Sequence, residues 1–156
     1  MKIISDAMID DLLVRAAGSP SGRMNLNLHE NLADPINRFI NAGIAGTYVR
    51  PHRHRPDKWE LVSILRGRAD VVTFADDCAI IGLHPLDATT SPVVEIPGAC
   101  WHTLIFAAPS AAILEIKPGP YDASADKEFA SLAPAEGSPD AIGFLRGLIA
   151  RLAGLS

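Results

Sequence analysis

The chain has 156 residues, 48% of them hydrophobic and 21% charged, and a formal net charge of −4. That length supports one hydrophobic core rather than two, so a single domain over 1–156 is expected. Apart from Arg50, Arg53 and Arg55 the sequence has no basic cluster, so the electrostatic footprint of a nucleic-acid binder is missing; acids interrupt its apolar start and no apolar run approaches membrane-spanning length, so a cytoplasmic protein is expected.

Ser5 or Asp6 can cap a first helix, with Met8, Ile9, Leu12, Leu13 and Ala16 on one side and Gly18 and Pro20 ending it. From Arg23 to His29 the pattern alternates strictly, Met24, Leu26 and Leu28 against Arg23, Asn25, Asn27 and His29. Asparagine is a poor strand former, so the polar face is either solvated or set against specific partners. Asp34-Pro35 opens a turn or short helix from which Ile36, Phe39 and Ile40 pack inward. After Gly43 come short strands at 46–54, 59–65, 69–74, 79–83, 93–96, 101–106 and 111–117, separated by turn sequences that include His84-Pro85-Leu86-Asp87. This reads as an antiparallel sandwich or barrel over 23–121, flanked by helical segments at 1–22 and 122–156. In the last segment 126–132 is a candidate short helix. Ser138-Pro139-Asp140 starts a final helix whose stripe is Ile142, Leu145, Leu148, Ile149 and Leu152. Cys78 and Cys100 make no disulfide framework and are read as reduced thiols.

The chemistry concentrates between Gly46 and Gly67. His52 and His54 are two apart, so in an extended chain both imidazoles face one way. Glu60 returns to that face after the reversal at Arg55-Pro56-Asp57-Lys58, and His102, beyond Pro97-Gly98, supplies a fourth ligand. Three imidazoles and a carboxylate suit one divalent transition metal, whether Zn, Fe, Ni, Mn, Co or Cu. Unbroken alternation would also aim Tyr48 and Arg50 at the metal. Arg50 is then an anion clamp or a structural ion pair at the barrel mouth, and Tyr48 a proton donor or a wall-filling ring. Arg23 and Asn25 join them as substrate-binding candidates if the first strand lines the same cavity. Glu115 is a candidate partner for an arginine and Tyr121 closes a turn. Trp59 and Trp101 each precede a ligand and should face away from it, and His29 and His84 are read as non-ligands.

The pattern Gly46-x5-His52-x-His54-x5-Glu60-x6-Gly67 resembles the first cupin motif, and Pro97-Gly98-Ala99-Cys100-Trp101-His102 resembles the second. Arg23-x-Asn25-x-Asn27-x-His29, the Tyr48 to His54 string, Glu95-Ile-Pro-Gly and Gly119-Pro120-Tyr121 resemble the WbuC family of cupin-fold metalloproteins, named for a member encoded in O-antigen gene clusters. The resemblance runs from about Arg23 to Glu136. It implies a small antiparallel jelly-roll barrel with a metal near one open end, commonly paired as a homodimer. It does not supply a reaction, because the fold hosts isomerases, epimerases, dioxygenases, decarboxylases and non-catalytic binders. Many cupins carry Asn four residues after the last histidine, where this chain has Phe106. The expectation is therefore a metal-dependent enzyme acting on a small polar or anionic molecule, a sugar or a carboxylate. The alternative is a non-catalytic binding module for the same kind of ligand.

Overall fold

Two antiparallel five-stranded sheets face each other, and each carries one helix on its outer side. The computed structural model describes residues 1–107 and 109–154. Its elements are α1 (Asp6–Ala17), β1 (Arg23–Asn27), β2 (Ile36–Ile44), β3 (His52–Arg53), β4 (Glu60–Arg66), β5 (Arg68–Phe74), β6 (Ile80–Asp87), β7 (Val93–Ile96), β8 (Trp101–Phe106), β9 (Ser110–Pro118), β10 (Glu128–Phe129) and α2 (Ala141–Ala153). One sheet is ordered β1-β2-β9-β4-β7 and the other β10-β3-β8-β5-β6. This is a jelly-roll barrel with flanking helices, as expected.

The helix α1 begins at Ser5, whose hydroxyl accepts from the Met8 amide, and ends at Gly18. It buries Ile9, Leu12 and Ala16 against Ile40, Ala42, Met24 and Leu26. Met8 is exposed instead. Because α1 covers the apolar side of β1 and β2, their polar alternates must face the barrel interior. Register shows how far this goes: Asn25 pairs with Asn41 and Asn27 with Phe39. Phe39 in turn pairs with Glu115 and Asn37 with Lys117, while Glu115 pairs with Val62. Paired residues share a face, so these side chains form rows across the inner surface. Farther along the same interior, Val62, Ile64, Val71, Leu86, Phe106 and Ile113 fill the barrel with apolar side chains. The barrel is thus dry at one end and polar at the other.

Several local expectations are corrected. Residues 36–44 form a strand, so Phe39 and Ile40 point to opposite faces, and Ile36 is exposed. The His84-Pro85-Leu86-Asp87 stretch continues β6 rather than ending it. β6 is the edge of its sheet, where a proline forfeits no ladder bond. Residues 126–132 are not helical. A bidentate Arg53–Glu128 pair, at 2.8 and 3.1 Å, and the Ala130 amide on Pro51 O draw this segment out as β10 alongside β3. Seven residues are too few to nucleate a competing helix. On α2 the buried stripe is Ala141, Leu145, Leu148 and Leu152. Ile142 and Ile149 are exposed. Leu148 and Leu152 pack on Val72, Phe74 and Ile105, so this helix closes the outer face of the second sheet.

Candidate metal centre

His52 lies on β3, Glu60 opens β4 and His102 sits on β8, directly opposite His52 in register. His54 follows β3, and the turn returning to Glu60 is closed by the Lys58 amide on Arg55 O at 2.9 Å. Gly98 lets the second turn close onto this first one, since a side chain there would strike the carbonyls of Arg55 and Pro56. The four ligands come together: their donor atoms lie within 4.8 Å of one another, and all four residues are buried.

Hydrogen bonds fix which nitrogen each imidazole offers. His52 Nδ1 is 2.9 Å from Arg50 O, His102 Nδ1 is 3.0 Å from Cys100 O, and His54 Nδ1 is 2.5 Å from Asp126 O. A carbonyl can only accept, so each Nδ1 carries a proton, and in the neutral imidazole Nε2 then presents its lone pair. Two of these lone pairs meet the Glu60 carboxylate, with His102 Nε2 at 3.0 Å and His54 Nε2 at 3.3 Å from Oε2. The second contact is out of line for a hydrogen bond, and His54 Nε2 is left without a partner. Opposed lone pairs in a buried site repel unless a cation lies between them. The donor set therefore fits a divalent metal, held by His52, His54, Glu60 and His102, with backbone carbonyls orienting the imidazoles as outer-shell groups.

Electrostatics around the quartet run along the inner face of the first sheet. Burial alone would raise the Glu60 carboxyl, but its neighbours, the Glu115 hydrogen bond first among them, outweigh burial and hold Glu60 well below the usual carboxylate range. Burial, then the negative charge on Glu60, pushes Glu115 well above that range. Glu115 lies beside the Glu60 carboxylate, and it accepts from Asn41 Nδ2 at 2.7 Å. Its cationic neighbour is Lys117, 3.8 Å away, rather than the expected arginine. Lys117 also donates to Asp126 at 2.9 Å. His52 is held well below its usual value, by burial first and then by the charge of Lys127.

The quartet opens on a cavity of about 490 Å³, which His52, Glu60 and His102 line together with Arg23, Arg50 and Glu115. Val62, Leu104 and Phe106 form part of its apolar wall. Gly43 makes room for the Phe106 ring, which an added Cβ would penetrate. Arg50 reaches the cavity, but its Nε and Nη2 donate to Ala133 O and Ala130 O at 3.0 and 3.4 Å, so its guanidinium holds the C-terminal segment. Arg23 also lines the cavity and pairs with Glu136.

Tyr48 departs from the expected inward alternation. Residues 46–51 are not paired in a ladder and end at Pro51, so face parity is not preserved through to His52. The Tyr48 ring packs with Ala141, Phe144 and Leu145, and its hydroxyl donates to Pro134 O at 2.9 Å. Burial pushes its pKa to about 12. Asn25 lines a neighbouring cavity with Asn27, donating to it at 2.8 Å. His29 hydrogen-bonds the Arg38 backbone and His84 reaches Thr73, both away from the quartet. Trp101 donates to Asp76 and stacks under Arg53, on the outer side. Sequence reasoning missed Lys117, Asp126, Lys127 and Glu136. Only Lys117 had a legible signal, since it is two residues from Glu115 on one strand and so shares its face.

Comparison with solved structures returns proteins of the same fold. CapF, the capsular polysaccharide assembling protein of Staphylococcus aureus, matches at TM-score 0.61 and 16% identity over 73% of this chain and 33% of that one. An oxalate oxidase in complex with the substrate analogue glycolate matches at TM-score 0.56 and 14% identity over 90% of this chain and 77% of that one. The oxalate decarboxylase of Lactobacillus farciminis, in a formate complex, matches at TM-score 0.55 and 17% identity over 71% of this chain and 32% of that one. This chain spans about a third of the length of CapF. At such identities the likeness is one of fold, and the fold is the cupin barrel. Among the described residues no helix is long and apolar enough to cross a membrane. No curated protein sequence matches the chain. The family described as "Domain of unknown function (DUF6016)" matches residues 4–86, more than half of the chain, and the protein belongs to that family.

Proposed function

We propose that the protein is a metal-dependent cupin enzyme acting on a small, oxygen-rich anion, a sugar derivative or a carboxylic acid. One observation carries this reading: three imidazoles with committed Nδ1 protons and the Glu60 carboxylate converge on one point and open on a cavity edged by Arg23, Arg50 and Glu115. A divalent metal bound there would supply Lewis acidity toward a ligand carbonyl, carboxylate or hydroxyl oxygen. The chain's own residues then bind and shield: Phe106, Leu104 and Val62 exclude water on one side while the cationic rim favours an anion. The motif resemblance to the WbuC family supports a carbohydrate-derived ligand. Four protein ligands leave room for that ligand on a metal that expands to five or six positions, as iron, manganese and nickel do.

A second reading, a non-catalytic binding module, is favoured by the placement of Tyr48, whose hydroxyl is taken by Pro134 O and offers no proton donor to the cavity. The test is stoichiometric metal retention after reloading the purified protein with each candidate metal, followed by turnover assays over sugar acids, sugar phosphates and small keto acids. The expected result is one metal per chain, lost in His52→Ala, with metal-dependent conversion of a member of the panel. Retention of no metal, or retention unaffected by His52→Ala, overturns the metal site. Ligand binding without turnover on any metal selects the binding module.

A further inference from the structure

Beside the metal chamber lies a second cavity of about 630 Å³, bounded by the polar faces of β1, β2 and β9. The two share a wall made by Arg23, Asn41, Glu115, Tyr121, Asp126 and Lys127. What distinguishes the second cavity is carboxamides: Asn25, Asn27, Asn37 and Asn41 line it, on the inner rows set by strand register. Asn37 is only 1% exposed, and among the described residues neither its amide nitrogen nor its oxygen has a hydrogen-bond partner. Asp126 Oδ1, on the shared wall, is likewise buried and unpaired. Buried polar atoms without partners are rare and costly, and these line a space large enough for a ligand.

The chemistry of the lining selects the ligand. A carboxamide offers donors and an acceptor side by side, which a hydroxyl group can match from either direction. The Phe39 and Tyr121 rings at the same cavity give apolar faces for C–H groups. The other cations are committed: Arg23 to Glu136, and Lys117 to Asp126 and Glu115. Lys127, on the shared wall, makes no hydrogen bond or ion pair among the described residues. We propose that the amide chamber is a subsite for the polyhydroxylated body of a sugar acid, whose carboxylate lies at the Lys127 wall toward the metal chamber. The inference deepens the functional reading above and rests on it only for the orientation of the carboxylate.

The test titrates the metal-loaded full chain by calorimetry with hexuronates (glucuronate, galacturonate and mannuronate), with glucose, and with acetate. At least one hexuronate is expected to bind tenfold or more tightly than acetate. The Asn25→Ala, Asn27→Ala double variant, at two exposed positions, should weaken that hexuronate fivefold or more while metal content and acetate affinity stay unchanged. Lys127→Met should weaken the hexuronate and leave glucose unaffected. Hexuronates that bind no more tightly than acetate, or a double variant that binds them like the wild type, overturn the proposal. If the protein retains no metal, the metal reading fails by itself. The amide chamber is then judged on the metal-free protein by the same comparison of double variant and wild type.

Discussion

Gly43 shows how one missing side chain shapes the cavity. It sits on the inner face of β2, and the space a methyl group would occupy is filled by the Phe106 ring. Its φ is not in the left-handed region, so alanine there carries no backbone penalty and the whole effect is packing. Gly43→Ala is therefore expected to destabilise the fold by about 1–3 kcal/mol through overpacking. Phe106→Leu in the same chain should recover part of that loss, because the two sites share one volume and their effects cannot add. Urea denaturation of the two single variants and the double variant measures the coupling. Purely additive values would show that the ring moves aside freely and is not a fixed wall of the metal chamber.

Among the elements, the C-terminal segment does most to enclose the site. It is pinned by β10 against β3, by Arg50 on two of its carbonyls, and by Glu136 on Arg23 and the Arg50 amide. Burial would raise the Glu136 carboxyl, but the hydrogen bonds from Arg23 and the Arg50 amide, with the charges of Arg23 and Lys127, together outweigh it and the folded value is depressed. A depressed carboxylate contributes stability above its unfolded pKa of about 4.3 and loses that contribution as pH falls through the folded value. Hydrogen exchange of residues 128–136, taken relative to the intrinsic rate at each pH, should accordingly quicken below about pH 4 in the wild type. In Glu136→Gln it should be fast already at neutral pH, with little further change on acidification. Little of this segment was legible beforehand: 126–132 has helical spacing, and the long-range Arg53–Glu128 pair that makes it a strand depends on a fold not yet known. The strands carrying the ligands were legible because period-two alternation and turn residues are local signals. Tyr48 was not, since parity is preserved only where a ladder holds the chain. Helix α2 was half legible, its start evident but its apolar stripe drawn too wide. Leu148→Ala should cost about 2–5 kcal/mol, while Ile149→Lys, at an exposed position, should stay within about 0.5 kcal/mol. Equal losses for the pair in thermal melts would mean that the outer side of α2 is covered by something beyond this chain.

At the scale of the whole molecule a metal held by the quartet would bridge the two sheets, since Glu60 belongs to one and His52 and His102 to the other. The barrel has an apolar core of its own apart from such an ion. Val71, Leu86 and Ile113 fill the interior, while α1 and α2 seal their own clusters outside it. Chelation should therefore leave the sheet signal in far-ultraviolet circular dichroism intact at 25 °C while lowering the melting temperature. A metal held at a hundred times its dissociation constant stabilises by about 2.7 kcal/mol. For a chain of this size each kcal/mol moves the midpoint by roughly 2–4 °C, so the loss should be about 5–11 °C and should scale with free metal concentration. In His52→Ala the midpoint should be low from the outset and indifferent to chelator, which separates metal loss from any direct effect of the reagent. A barrel that unfolds outright on chelation would instead make the ion a structural staple, with the quartet acting as a fastening between the sheets. A melting temperature that no candidate metal moves would leave the opposed lone pairs of Glu60, His54 and His102 to be reconciled by protons alone.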